Sequence, residues 1–363
     1  MPSKPECLDF FAGSGLVCEG LKEHFTTVWA NDICPKKAAV FRANHPNSPF
    51  HLGSIELVRG ADVPSTPLSW GSFPCQDLSL AGNIEGISST RSGLVWQWLR
   101  VMDEMRQPPL IAVAENVMGL VSAAEGAHYR RLHQALAERG YRVGAVVLDA
   151  VHWVPQSRKR VFVIAVQQDI DIAAFRIPDP SWCHPAALVR AAEFVDNWVW
   201  WHLPPPPLRN ITLADVIDFS ATVDTPAKRD RILSLIPTAH REKLAMATAA
   251  GQRVFPGYKR IRNGTQVLEL RFDGIAGCLR TPEGGSSRQV LVLNYNGRYE
   301  TRLLTISETA ALMGAPASYF IPGSYNDAYK AMGDAVAVPV AKYLAEHLLA
   351  PLASIAREHC LNE

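Results

Sequence analysis

Four sets of residues in this chain could do chemistry. Cys75 lies in Ser69-Trp-Gly-Ser-Phe-Pro-Cys-Gln-Asp-Leu-Ser-Leu-Ala-Gly-Asn83, after a short apolar run and before a polar loop. That is the end of a strand, from which α/β enzymes present nucleophiles. Glu115 closes the apolar run Leu110-Ile-Ala-Val-Ala114, and a carboxylate there is costly to bury unless it is paired or used. Arg158 and Arg160 alternate with Ser157, Lys159 and Val161. A period of two puts both on one face, as cations for a carbonyl oxygen or a phosphate. Asp32 follows the apolar stretch Thr27–Asn31 and the turn Ala12-Gly-Ser-Gly15, a pairing that suits a nucleoside-bearing ligand. Each set also has a structural reading. Free cysteines are often inert core residues, Asp32 could cap a helix over 35–44, Glu115 could order a loop, and the arginines could line a solvated edge.

The elements that must position these groups follow an α/β rhythm. Cys7–Phe11 reads as a buried strand, 16–24 as a helix, and 27–31 as a second strand. Gly53-Ser-Ile55 marks the next strand-to-loop junction, where an adenine edge could be met. Leu94–Met105 has helical apolar spacing, and Leu110–Ala114 reads as a central parallel strand. A surface helix is expected over 128–139, a strand over 141–148, and over 154–166 a basic turn running into another buried strand. The rhythm stops near Gln168. From there to about Glu300 the chain reads as irregular and aromatic-rich, with turn clusters at Asn263-Gly264 and Gly284-Gly-Ser-Ser287. Between Gly251 and Arg302 nine cations (Arg253, Lys259, Arg260, Arg262, Arg271, Arg280, Arg288, Arg298, Arg302) stand against four anions (Glu269, Asp273, Glu283, Glu300), an excess that suits phosphate and groove contact. Regular structure returns in 302–316 as a capped helix with Thr305 or Ser307 near its start, and in 329–344 as a turn into a small-residue helix.

Composition sets the outer limits. The 363 residues are 48% hydrophobic and 20% charged, enough for a large and a small domain with a real core. A net charge of +1 carries no global signature of nucleic-acid binding, so any basic surface is local. No apolar run reads as long enough to span a bilayer, and the Met-Pro-Ser-Lys start has no signal-peptide core. The seven cysteines are scattered without a CxxC pair, which argues for a reducing cytoplasm and against a zinc site or a disulfide framework.

Taken together and in order, these blocks resemble the bacterial-type cytosine-C5 DNA methyltransferase family. The matching pieces are Asp9-Phe-Phe-Ala-Gly-Ser-Gly15, Asn31-Asp32, Gly71-Ser-Phe-Pro-Cys-Gln76, Glu115-Asn-Val117, Gln156-Ser-Arg-Lys-Arg160, Leu304-Thr305 with Glu308 and Met313-Gly314, and Gly333-Asp-Ala-Val336. The resemblance implies a doubly wound, mostly parallel α/β sheet of Rossmann-like methyltransferase type with a second, smaller irregular domain. The catalytic domain is expected over 1–170 and 324–363, and target recognition over 171–323.

The same resemblance implies that Cys75 adds to C6 of a flipped cytosine, that a protonated Glu115 serves N3, and that Arg160 holds O2 with Arg158 beside it. S-adenosyl-L-methionine is the implied cofactor and S-adenosyl-L-homocysteine its product. Phe11, Gly13, Ser14, Gly15, Asp32, Ile33, Ser54, Ile55, Pro74, Leu94, Asp334 and Val336 are the expected pocket. Gln76, Ser79, Arg260, Arg262 and Arg288 are the candidates for DNA contact. Double-stranded DNA is the implied partner, a cognate restriction endonuclease fits beside it, and neither a membrane nor a metal is called for. Three positions depart from the family pattern: Ser54 stands where many members have aspartate, Asp334 replaces asparagine, and Ala335 replaces serine. Competing readings are a tRNA cytosine-C5 methyltransferase, a non-catalytic DNA-binding relative and a nucleotide-binding oxidoreductase. The Cys-Phe-Thr tripeptide of the tRNA branch, the loss of Cys75 or Glu115, and a dinucleotide fingerprint are respectively absent.

Overall fold

The computed structural model describes residues 3–74, 93–279 and 288–361, with side chains to 355. Cys75, Gln76, Ser79 and Arg280 lie outside the described residues. The chain divides into two compact units, 1–148 with 159–205 and 340–363, and 149–158 with 206–339. The seams therefore differ from the expected 170/171 and 323/324, and the short stretch 149–158 joins the second unit. The physical reason is visible in its backbone: Ser157 N donates to Ala276 O at 2.9 Å, and Ala276 N to Pro155 O at 2.8 Å.

The first unit is built on a seven-stranded sheet of β1 (Glu6–Phe10), β2 (Thr26–Asp32), β3 (Phe50–Leu52), β4 (Leu68–Gly71), β5 (Ile111–Asn116), β6 (Tyr141–Asp149) and β7 (Lys159–Gln167). Their spatial order is β3-β2-β1-β4-β5-β7-β6. The pairs β3–β2, β2–β1, β1–β4 and β4–β5 are parallel, and β7 runs antiparallel to β5. Every residue of β5 is buried, which is why its sequence is continuously apolar up to Glu115. The helix Leu94–Glu104 and the amphipathic helix Ala127–Ala137 supply core residues such as Trp98, Leu99, Leu132 and Leu136. The second of these is therefore half core, not simply a surface helix. Trp98 packs so close to Gly71 that a Cβ there would meet its ring at 3.1 Å. A two-stranded ribbon of β8 (Arg176–Ile177) and β9 (Trp200–Trp201) follows.

The second unit corrects the expectation of an irregular region. It holds a four-stranded antiparallel sheet of β10 (Val254–Arg262), β11 (Thr265–Leu270), β12 (Val290–Tyr295) and β13 (Arg298–Leu303), in the order β11-β10-β12-β13. Helices Pro226–Ser234 and Thr238–Ala249 pack on one face through Ile232 and Leu244, against Phe255, Leu268, Val290 and Val292. Asn263 and Gly264 both have positive φ, 49° and 77°, so the β10–β11 hairpin turns on two left-handed residues. Thr305 caps the helix Ile306–Leu312 in a reciprocal box with Glu308. Arg302 and Leu303 belong to β13 instead of that helix. Tyr329 lies inside the helix Tyr325–Asp334, and the break comes after it, before Val338. The stretch Tyr325–Ile355 is apolar over a length that could cross a membrane, contrary to the sequence reading, and 61% of its apolar window is buried within the protein.

Candidate active site

The strand order fixes where a site can form. From β1 the chain winds one way to β2 and β3, then returns to β4 and winds the other way to β5. The crevice at such a switch point, outside the carboxyl ends of the strands, is where open α/β sheets bind ligands. Register places Phe10 beside Gly71 and Gly71 beside Ala114. The ends of β1, β4 and β5 thus share one edge, and Cys75 follows Gly71 by four residues in sequence.

The β1 loop is held in a conformation that ordinary residues avoid. Phe11 has φ 57°, Gly13 56° and Gly15 84°, so three residues of a five-residue turn are left-handed. Gly13 N donates to Asp32 Oδ2 at 3.0 Å, and Cys34 N to Asp32 Oδ1 at 2.8 Å. Asp32 therefore ties the ends of β1 and β2 together while remaining half-buried. His45 Nε2 lies 3.0 Å from Gly15 O, and a Cβ on Gly15 would stand 2.7 Å from the His45 ring. Glycine is required there twice over, by backbone and by space. Ser14 is fully buried, and Ile33 leaves the end of β2 with 69% of its surface exposed.

The β5 edge carries the acid. Glu115 Oε1 pairs with Arg160 Nε at 3.1 Å, both side chains being largely buried. The register that sets Glu115 beside Phe162 and Asn116 beside Val161 on β7 makes that contact possible, since Arg160 stands on the same strand just before them. A buried carboxylate needs such a compensating charge. Asn116 acts as a staple: its Nδ2 donates to Phe73 O at 3.0 Å and its Oδ1 accepts from Val117 N at 2.9 Å. The backbone two residues before Cys75 is thereby fixed to the end of the acid's strand. The sequence reading quoted Asn116 within the Glu115 block but gave it no role.

The junction after β3 departs from expectation. Ile55 is buried in the core, so its side chain is not available to a ligand. The Ser54 hydroxyl accepts from Glu56 N at 3.3 Å, capping a short turn. Arg100, on the helix Leu94–Glu104, donates to Ile55 O and Val58 O at 3.1 and 2.9 Å. Glu104 takes Gly60 N at 2.9 Å. This loop is clipped from behind by a helix whose first residue, Leu94, is half-buried. Pro74 is exposed.

Arg158 belongs to the second unit and corrects the picture of two arginines on one face. It is 2% exposed, and its guanidinium donates to backbone carbonyls: Nη2 to Gly333 O and Ala335 O at 2.9 and 2.6 Å, and Nη1 to Leu279 O at 3.2 Å. Gln156, fully buried, donates to Leu312 O at 2.7 Å and accepts from Leu279 N at 3.0 Å. Together they bind Leu279, Leu312 and the Gly333–Ala335 turn into one body. Asp334 is exposed and Val336 buried. Arg260 and Arg262 sit on β10, not on a flexible loop. Arg262 pairs with Glu269 at 2.6 Å, and the Arg260 guanidinium lies 5.2 Å from the Tyr258 ring. Arg288 reaches Asn326 Oδ1 and the Tyr325 ring.

A mostly parallel seven-stranded sheet, a left-handed glycine turn at its switch point and a buried acid–arginine pair beside it define a Rossmann-like methyltransferase. The profile of C-5 cytosine-specific DNA methylases matches residues 6–350, and the chain belongs to that family, whose members are S-adenosylmethionine-dependent DNA cytosine-C5 methyltransferases. It is 26% identical over 345 residues to the type II methyltransferase M.HhaI of Haemophilus parahaemolyticus, covering 94% of this chain and 93% of that one. To the type II methyltransferase M.MspI of Moraxella sp it is 23% identical over 354 residues, covering 96% and 71%. The crystal structure of the S. pombe Dnmt2 methyltransferase superposes with a TM-score of 0.63 at 17% identity, covering 96% of this chain and 99% of the other, a likeness of fold.

Proposed function

We propose that this enzyme methylates C5 of a cytosine flipped out of a specific duplex DNA sequence, with Cys75 as the nucleophile. The observation that carries the reading is the buried Glu115–Arg160 pair at the end of β5, joined by Asn116 to the segment that leads into Cys75.

Cytosine C5 is too electron-poor to take a methyl group unaided. A Cys75 thiolate adding to C6 pushes electrons towards C5 and makes it enamine-like. Glu115 serves N3, where a proton or positive charge draws that electron flow, and Arg160, already paired with it, reaches O2. Loss of the C5 proton then expels the thiolate from C6 and restores the ring. A base inside a duplex is out of reach of such a pocket, so the target must leave the stack.

The residues at the switch point fit S-adenosylmethionine. Asp32 offers a carboxylate for ribose hydroxyls, Ile33 an exposed apolar surface for the adenine, and Phe11, Gly13, Ser14 and Gly15 a left-handed turn that lets the backbone come close to a ligand. Leu94 and Pro74 are the remaining candidates within the first unit. The cofactor supplies, when bound, an electrophilic methyl sulfonium. Ser54 and Asp334 alter its affinity without removing the Asp32 anchor. The second unit is read as the target-recognition domain, and a cognate restriction endonuclease as the partner that the methylated site resists.

Base-resolution mapping of 5-methylcytosine in DNA from cells expressing the protein or its Cys75→Ser variant tests this. A methylated motif is expected with the intact protein alone, and it names the recognised sequence. Unmethylated DNA in both overturns the reading and makes RNA the next substrate to try. Equal methylation in both removes Cys75 as the nucleophile.

A further inference from the structure

β10 carries a lysine where an apolar residue is expected. Residues 255, 257 and 259 share one face by the period of two, and Phe255 on that face is buried in the core of the second unit. Lys259 continues the same face and is one of the residues that line a cavity of about 220 Å³ in the second unit. That volume is several times the roughly 30 Å³ of one water in the liquid. The floor is apolar, made of Ile232, Val290 and Leu303, and the other lining residues are Asp224, Lys228, Lys259, Arg288 and Arg302. Arg302 is neutralised by Glu308, with Nη2 to Oε1 at 2.5 Å. Setting that pair aside, three cations border the cavity against one carboxylate among the described residues. Asp224 is itself committed, to Lys228 at 2.6 Å and to the Thr301 hydroxyl at 2.9 Å. Arg288 is held by Asn326 and by the Tyr325 ring, and its buried Nε has no hydrogen-bond partner among the described residues.

An apolar floor under an excess of cations is matched by a group with an apolar body and an anionic end. We propose that this cavity, bordered by Lys228, Lys259 and Arg288, takes one sugar-phosphate of the DNA backbone, the deoxyribose on Ile232, Val290 and Leu303 and the phosphate among the cations. The low-dielectric floor strengthens the attraction, and the fixed Arg288 reduces the ordering needed on binding. A contact of this kind positions the duplex without reading its sequence. It differs from the surface first expected at Arg260 and Arg262, whose parity places them on the opposite face of β10. The inference rests on the reading of DNA as substrate.

The test is fluorescence-anisotropy titration of the full-length protein with a labelled duplex holding the methylated motif and with an unrelated duplex, across a range of salt. Lys259→Gln removes the charge while keeping a polar side chain with part of the aliphatic stem, Arg288→Ala is the second variant, and Lys243→Ala, an exposed position on the helix Thr238–Ala249 of the same unit, is the equal-charge control. Losing one phosphate contact lowers the slope of log K against log salt by about 0.9 and weakens binding about fivefold near 0.15 M salt. Both duplexes should lose equally, and Lys243→Ala should change neither. Wild-type binding matched by both pocket variants overturns the proposal while leaving the enzymatic reading intact. Thermal-shift titration with inorganic phosphate and with deoxycytidine monophosphate separates the sources. A wild-type shift abolished in Lys259→Gln, with an unchanged duplex slope, assigns the cavity to a free anion and overturns the DNA assignment. A wild-type protein that binds no duplex overturns both readings at once.

Discussion

At the carboxyl edge of the first unit's sheet the charges are few, wholly or partly buried, and fixed. Glu115 has Arg160, and Asp32 has two backbone amides. On and just beside the second unit's sheet the charges are many, and several pair at the surface, as in Arg262–Glu269 and Arg271–Asp273. Desolvated groups hold one geometry and act strongly on whatever enters beside them. Solvated pairs are screened, worth little individually and easily exchanged for another partner. The first arrangement suits making and breaking bonds at one atom. The second suits a surface that must exchange ion pairs with a polyanion.

The comparison breaks most visibly at Glu115. Glu115→Gln keeps the shape but removes the charge opposite Arg160 and the group proposed to serve N3. Turnover per methylated site should fall by about 10²–10⁴-fold, with cofactor affinity nearly unchanged by equilibrium titration. Turnover within a few-fold of wild type would move the acid elsewhere. Next comes the glycine turn proposed to hold the cofactor. Gly15→Ala must hold a left-handed backbone and push the His45 and Phe41 rings, 2.7 and 2.9 Å from the new Cβ. A loss of about 2–4 kcal/mol in unfolding free energy is expected, with weaker cofactor binding. An unchanged denaturation midpoint would show that the turn relaxes freely.

Asp9 sharpens the contrast from within the first unit. It is fully buried in β1, and neither carboxyl oxygen has a hydrogen-bond partner among the described residues. Burial first, and the Asp32 charge second, raise its pKa well above the ordinary carboxylate range. The thiols of Cys7 and Cys18, the other titratable groups coupled to it, are pushed up by burial too, that of Cys18 to about 12. The folded state therefore keeps Asp9 neutral where the unfolded chain ionises it. This stability is fully present below about pH 4 and lost as pH rises towards the folded value. Asp9→Asn cannot ionise, so its stability relative to wild type should climb above pH 4 by up to about 1.4 kcal/mol per pH unit. Parallel curves from urea titrations across pH would mean that Asp9 is ionised when folded.

The parallel half of the fold was legible because its signals are local. An apolar run ending in Glu115, a glycine turn and Asp32 at a strand end each announce a position on the sheet edge. What could not be read depends on distant partners. Nothing in Gln156-Ser-Arg-Lys-Arg160 distinguishes Arg160, aimed at Glu115, from Arg158, which disappears into the carbonyls of Leu279, Gly333 and Ala335. The antiparallel sheet was missed because Pro256 and Gly257 break the apolar pattern of β10 and because turn residues such as Asn263 and Gly264 surround it. Its alternation was nonetheless present: Phe255, Gly257 and Lys259 on one face, Arg260 and Arg262 on the other. Ile55 looked like a ligand contact by its place after a strand, and only packing showed it to be core.

The smallest effect discriminates between the two faces of that strand. Arg262 is exposed, and its charge is already answered by Glu269 through two hydrogen bonds at 2.6 and 3.0 Å. Arg262→Ala leaves Glu269 behind as a solvated anion, which at ordinary salt is felt over about one Debye length. DNA affinity should therefore change by less than about twofold, against about fivefold for Lys259→Gln. Equal losses at both positions would mean that DNA displaces Glu269 and takes Arg262 for itself. The recognition surface would then extend over both faces of β10, and surface ion pairs would be its working parts. A larger loss at Arg262 than at Lys259 would return the recognition surface to the face first read from sequence.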